Sequence, residues 1–111
     1  MLETTMASPV LLYVLAKLWI HGGRETEFEA YERKVARIMA RYGGVIECAI
    51  RPSRASEPDA PYEIHLLKFP SQALYNAYRN DPKRLSLSGE RDSVITRTDV
   101  LVGTAGPAYG S

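Results

Sequence analysis

Over residues 24–42 the apolar positions recur every three or four residues: Phe28, Tyr31, Val35, Ile38, Met39 and Tyr42 make one stripe. That spacing predicts a helix with a single buried face. The charge order agrees with the helix dipole, with Glu25, Glu27 and Glu29 at the start and Arg33, Lys34, Arg37 and Arg41 toward the end. Glu29 and Arg33 form an i,i+4 pair, and Gly43 supplies the stop.

The remaining segments are shorter. VLLYVLAKLWI (10–20) is rich in β-branched and aromatic residues and runs into the turn HGG, so it reads as a first strand. Residues 44–51 and 62–69 read as the second and third strands, and 51–61, with three prolines and no period, as an exposed loop. Pro70 cannot extend a ladder and Ser71 is a suitable cap, which predicts a helix over 72–80. Asp81-Pro82 starts a short further helix that Gly89 is expected to end, and 94–102 is the fourth strand. Residues 1–9 read as a flexible leader, 10–103 as one domain and 104–111 as a flexible tail. The order βαββαβ is that of a ferredoxin-like α+β fold: a four-stranded antiparallel sheet with both helices on one face.

The strands leave too much apolar surface for one layer of helices. In the first strand Leu12, Val14, Ala16, Leu18 and Ile20 share a face, but Tyr13, Leu15 and Trp19 make the opposite one nearly as apolar. In the second, Ile46, Cys48 and Ile50 alternate with Val45, Glu47, Ala49 and Arg51, and in the third, Tyr62, Ile64 and Leu66 with Glu63, His65, Leu67 and Phe69. With the more apolar set of each strand turned toward the helices, Tyr13, Leu15, Trp19, Val45, Leu67 and Phe69 remain outside. Such a face calls for a second layer, most simply the same sheet of a symmetry mate, so a homodimer is expected.

Composition narrows the function by exclusion. Fourteen Lys and Arg against thirteen Asp and Glu, interleaved along the chain, give no concentrated basic face for nucleic acid. The apolar run 10–20 is too short for a bilayer and contains Lys17, and no export signal is visible, so the expected location is cytoplasmic with no membrane partner. One cysteine rules out an internal disulfide, and within VIECAI it reads as a small buried hydrophobe. There is no nucleophile elbow, phosphate loop, C-x-x-C or H-E-x-x-H, so no cofactor is expected. His21 and His65 with Glu47 and Glu63 fix no ligand spacing, so no metal site is expected either.

FEAYERKVARIMARYGG, the join KFPSQALYNAYRNDP, Arg91 and the closing TRTDVLVG together resemble the dimeric α+β-barrel superfamily over about residues 10–103. The nearest likeness is to a bacterial domain family of unknown function beside the NIPSNAP and antibiotic-biosynthesis monooxygenase families. The resemblance implies a ferredoxin-like protomer whose sheet pairs with its mate's around a barrel. That branch often has Trp-Tyr where this chain has Ala77-Tyr78, and an aromatic where it has Lys83-Arg84, which leaves Tyr78 and Arg91 as position matches.

His65, expected to face the second layer with Glu63, is either a general acid-base group or a histidine satisfied across the dimer. Lys17, Glu47, and Arg97 or Asp99 are expected to point the same way, as a ligand site or as interface ion pairs. Trp19 with Tyr13 stacks a flat ligand or anchors the interface. Arg91 holds a carboxylate or pairs with Asp92 or Glu90. Tyr78 is placed on the sheet-facing side of its helix with Leu74 and Ala77, and Tyr75 nearer the edge. Three functions stay open: a small cofactor-independent enzyme on an aromatic or polyketide-like molecule with His65, Tyr78 and Arg91 as its groups; a non-catalytic binder of such a ligand; or a purely structural dimer.

Overall fold

A computed structural model describes residues 10–53 and 57–110. The expected leader, residues 54–56 of the loop and the last residue of the tail lie outside the described residues. The elements are β1 (Leu12–Ile20), α1 (Glu25–Ala40), β2 (Val45–Ile50), β3 (Glu63–Phe69), α2 (Gln72–Arg79), α3 (Pro82–Ser86), α4 (Ser88–Val94) and β4 (Ile95–Gly103). The four strands form one antiparallel sheet in the order β2-β3-β1-β4, the ferredoxin-like arrangement read from the sequence. Among the described residues no helix is long and apolar enough to cross a membrane.

The helix starts follow the sequence signals. Ser71 Oγ accepts the Leu74 amide at the start of α2, and Asp81 accepts the Arg84 amide at the start of α3, where Pro82 occupies the first position. Gly89 does not end the helical run: α4 passes through it to Val94, which puts Arg91 inside a helix. A one-residue glycine penalty of about 1 kcal/mol does not outweigh Val94 and Ile95 buried in the core. In α2 the buried residues are Tyr75 and Tyr78 together, while Leu74 and Ala77 are exposed. The two rings share the core-facing side because both pack on Phe69, with centroids 5.1 Å and 5.4 Å away.

The core lies between β1, β3 and α1, α2. Its largest fully enclosed side chains are Phe28 and Phe69. β1 turns Leu12, Val14, Ala16 and Leu18 inward, as expected. In β3 the faces are reversed from the expectation: Glu63, His65, Leu67 and Phe69 are buried against the helices, and Ile64 and Leu66 belong to the other face, while Tyr62, just before the strand, packs edge-on against Phe28 at 5.5 Å. The apolar majority is a poor guide here because Glu63 and His65 bond to each other inside. In β2 the register shifts between Ile46 and Cys48, so Ile46 pairs with Leu67 while Cys48 and Ile50 pair with Leu66 and Ile64. This bulge moves Cys48 and Ile50 away from the helices, and Cys48 is exposed rather than buried.

Gly44 marks the tightest approach. A Cβ there would lie 2.4 Å from Phe69 Cε1 and 2.5 Å from Met39 Cγ. Gly44→Ala is therefore expected to lower stability by about 2–3 kcal/mol, read as a shift of the urea midpoint at unchanged slope. Gly22→Ala, where nothing lies within 4 Å, serves as the control.

Candidate functional site

A cavity of about 100 Å³ opens between the sheet and the helical layer. α1 contributes Tyr31 and Glu32, β3 contributes His65, α2 contributes Tyr75 and Tyr78, and α3 and α4 contribute Arg84 and Arg91. Val14, Ala16, Leu18 and Leu67 floor it, with Thr98 and Val100 of β4 at its edge. His65, Tyr78, Arg91 and Tyr75, four residues singled out in the sequence, thus come together at one site. The others do not. Lys17 and Trp19 line a shallower concavity on the opposite sheet face with Ile64, Arg97 and Asp99. There the Arg97 guanidinium lies 4.3 Å from the Trp19 ring and 2.6 Å from Asp99, and Trp19 Nε1–H donates to the Asp59 carbonyl at 3.0 Å. Glu47 stands 3.7 Å from Lys68. His65 therefore does not look toward the second layer, and these charges share no face with it: its strand parity places it under the helices.

His65 is 4% exposed and held from both sides. Its Nε2–H donates to Glu63 Oε2 at 2.5 Å, and its Nδ1 faces Glu32 Oε1 at 3.6 Å. Glu63 is in turn fixed by Arg51, whose Nε–H donates to Oε1 at 2.8 Å, while the Arg51 fork also reaches Glu29 at 2.9 Å. A carboxylate held by a guanidinium accepts the imidazole proton and fixes the tautomer with Nδ1 as the basic nitrogen. Arg91 donates to Thr98 Oγ1 at 2.5 Å and sits 3.6 Å from Asp92, whereas Glu90 is taken by Lys34. Burial pushes the Tyr31 hydroxyl up to about 12 and raises Tyr78 too, against the pull of the neighbouring Arg84. Both phenols stay protonated donors at neutral pH. Among the described residues no group of three or more His, Cys, Asp or Glu is placed to hold a metal ion.

Glu32, Tyr31, Arg84 and Arg51 were not singled out from the sequence. Glu32 left a trace: positions 28, 32, 35, 39 and 42 repeat at the spacing of the apolar stripe, and a carboxylate interrupts it. Arg51 left none, because its reach to Glu63 depends on the β2 bulge.

Burial, with Glu63 adding to it and His65 opposing, pushes the Glu32 carboxyl from 4.5 up to about 7. The groups facing it are His65 and Glu63 of β3, Tyr31 of its own helix, Tyr78 of α2, Arg84 of α3 and Arg91 of α4. The folded protein keeps a proton that the unfolded chain releases. Glu32 thus stabilises fully below pH 4.5, and that contribution is lost as pH rises through about 7. The loss amounts to roughly 3 kcal/mol at most. Glu32→Gln is expected to flatten the fall in unfolding free energy between those limits; an unchanged slope in urea titrations across that range rejects the assignment.

The fold recurs among solved structures. SnoaB from Streptomyces nogalater, described as a cofactor-independent oxygenase, superposes with a TM-score of 0.68 at 16% identity, over 95% of this chain and all of that one (100%). A DABB-family protein with a ferredoxin-like fold from Mesorhizobium loti gives 0.64 at 14% identity, over 87% and 98% of the two chains. RPA0582, a protein of unknown function from Rhodopseudomonas palustris, gives 0.70 at 14%, over 88% and 84%. No protein-family model and no curated protein matches the chain. The protein thus has the ferredoxin-like α+β fold of these solved structures.

Proposed function

We propose that this protein binds a small aromatic or polyketide-like molecule in the cavity between helices and sheet, and transforms it by proton transfer without a cofactor. The observation that carries this reading is the buried imidazole at the cavity wall, with Nε2–H committed to Glu63 and Nδ1 left beside Glu32. Such a nitrogen abstracts a proton from a phenol or from a carbon next to a carbonyl and returns it elsewhere, which needs no second reactant. Tyr78 and Arg91 serve as donors to the oxygen on which charge develops, and Tyr75 is a wall of the binding site. A cavity of 100 Å³ is smaller than the ~150 Å³ that admits benzene, so it takes only part of a ring, and the rest of the ligand lies at the open edge. SnoaB, a cofactor-independent oxygenase on the same fold, supports small-molecule chemistry without a bound helper group.

The test follows conversion of a β,γ-unsaturated cyclic ketone to its conjugated isomer by ultraviolet absorbance, beside calorimetric binding of one-ring phenols. Turnover with binding supports the enzyme. Binding with no turnover of ketones or quinols favours the non-catalytic carrier, and absence of both leaves the structural dimer.

We further infer that the working form is a homodimer joined through the open sheet face. Val45, Ile50 and Leu101 are exposed there, beside half-buried Tyr13, Leu15, Trp19, Ile64 and Leu66. Leu67 and Phe69, expected on that face, lie in the core instead, but Cys48 and Ile50 arriving by the bulge keep it apolar. A burial of this kind favours association at roughly 25 cal/mol per Å². Sedimentation velocity is expected to show a dimer at micromolar concentration, shifted toward monomer by Leu15→Glu; a wild-type monomer rejects it.

A further inference from the structure

We propose that the ligand of this cavity carries an anionic oxygen, a carboxylate or an acidic phenolate or enolate, and that Arg84 is the residue that reads it. The inference rests on the reading of the cavity as a small-molecule site and names the class of molecule. Arg84 belongs to the cavity wall, and its guanidinium carbon lies 4.9 Å from the centre of the Tyr78 ring. One terminal N–H donates to the Arg79 carbonyl at 3.1 Å. The Nε is buried and has no hydrogen-bond partner among the described residues.

The nearest acid in sequence is already engaged. Asp81 accepts the Tyr42 hydroxyl at 2.5 Å and the Arg84 backbone amide at 3.0 Å, and Tyr42 and that amide hold its carboxyl below the usual range. Among the described residues no carboxylate lies within ion-pair distance of the Arg84 guanidinium, whereas the other cavity arginine, Arg91, has Asp92 at 3.6 Å. A guanidinium is always charged, and its in-plane N–H groups match a carboxylate or phenolate oxygen. A buried N–H of this kind without a protein acceptor is the chemistry of a site that expects its acceptor from the ligand.

Benzoate and its neutral isostere benzamide separate the possibilities by calorimetry on the wild-type protein and on Arg84→Gln. Benzoate is expected to bind the wild type at least about tenfold more tightly than benzamide, and that preference should disappear in Arg84→Gln. If benzamide binds the wild type as well as benzoate does, the anion assignment is wrong while the small-molecule site stands. If the benzoate preference survives in Arg84→Gln, Arg84 is not its source. If neither compound binds, the site reading itself falls and this inference with it. The wild-type comparison needs no variant. Arg84→Lys, which keeps the charge but lacks the Nε–H, replaces Arg84→Gln should the latter not fold, and it is expected to lose most of the preference.

Discussion

Phe69→Ala is expected to remove about 4 kcal/mol of stability, a large share of the ~5–15 kcal/mol that holds a domain together. Phe69 is fully enclosed, and it meets the rest of the core from three directions. Tyr75 meets it edge-on at 5.1 Å, Tyr78 lies tilted on it at 5.4 Å, and a Cβ at Gly44 would stand only 2.4 Å from its ring. Removing the ring opens a void that the rigid strands around it cannot close. Urea unfolding measures it, and a loss below about 2 kcal/mol means the core collapses into the gap. The same change should loosen Tyr78 at the cavity, so ligand affinity falls with stability. Phe69→Leu, which refills most of the volume, is expected to recover much of both.

His65→Ala is expected to lower turnover by about 10²–10⁴-fold, the usual worth of a positioned acid-base group. The variant also strands Glu63, which loses the imidazole but keeps Arg51 at 2.8 Å, so the fold should survive. His65→Gln separates chemistry from packing, since it retains a donor for Glu63 but no basic nitrogen beside Glu32. Activity in His65→Gln close to that of wild type would show that the imidazole only fills space. Binding of one-ring phenols should change far less than turnover in both variants, a split expected when the lost interaction belongs to the transition state.

The order of elements was legible because it rests on local signals. The stripe from Phe28 to Tyr42, the Ser71 cap and the Asp81-Pro82 start each act within a few residues, and all reappear in the structure. Gly89 misled for the complementary reason: its weak local preference is overruled by the burial of Val94 and Ile95.

The site was legible in its members and not in its arrangement. Tyr78 and Arg91 were singled out from a family likeness, and His65 from its position in a strand. Which face of β3 turns inward was misjudged because counting apolar residues assumes that polar ones prefer water. Here Glu63 and His65 satisfy each other and draw on Arg51 and Glu32, and that mutual satisfaction makes their burial affordable. A bulge in β2 decides that Arg51 reaches Glu63 and that Cys48 faces outward, and strand parity alone is blind to an extra residue.

The amino-acid sequence by itself therefore determined the element order, the ferredoxin-like plan and the surplus of apolar sheet surface, since propensity, capping and periodicity are properties of neighbouring residues. Only the tertiary structure decided that the histidine lies beneath the helices, that Glu32 and Arg84 share its cavity, and that Lys17 and Trp19 lie on the other face. Those facts depend on register and on partners far apart in the chain, and no local pattern encodes them.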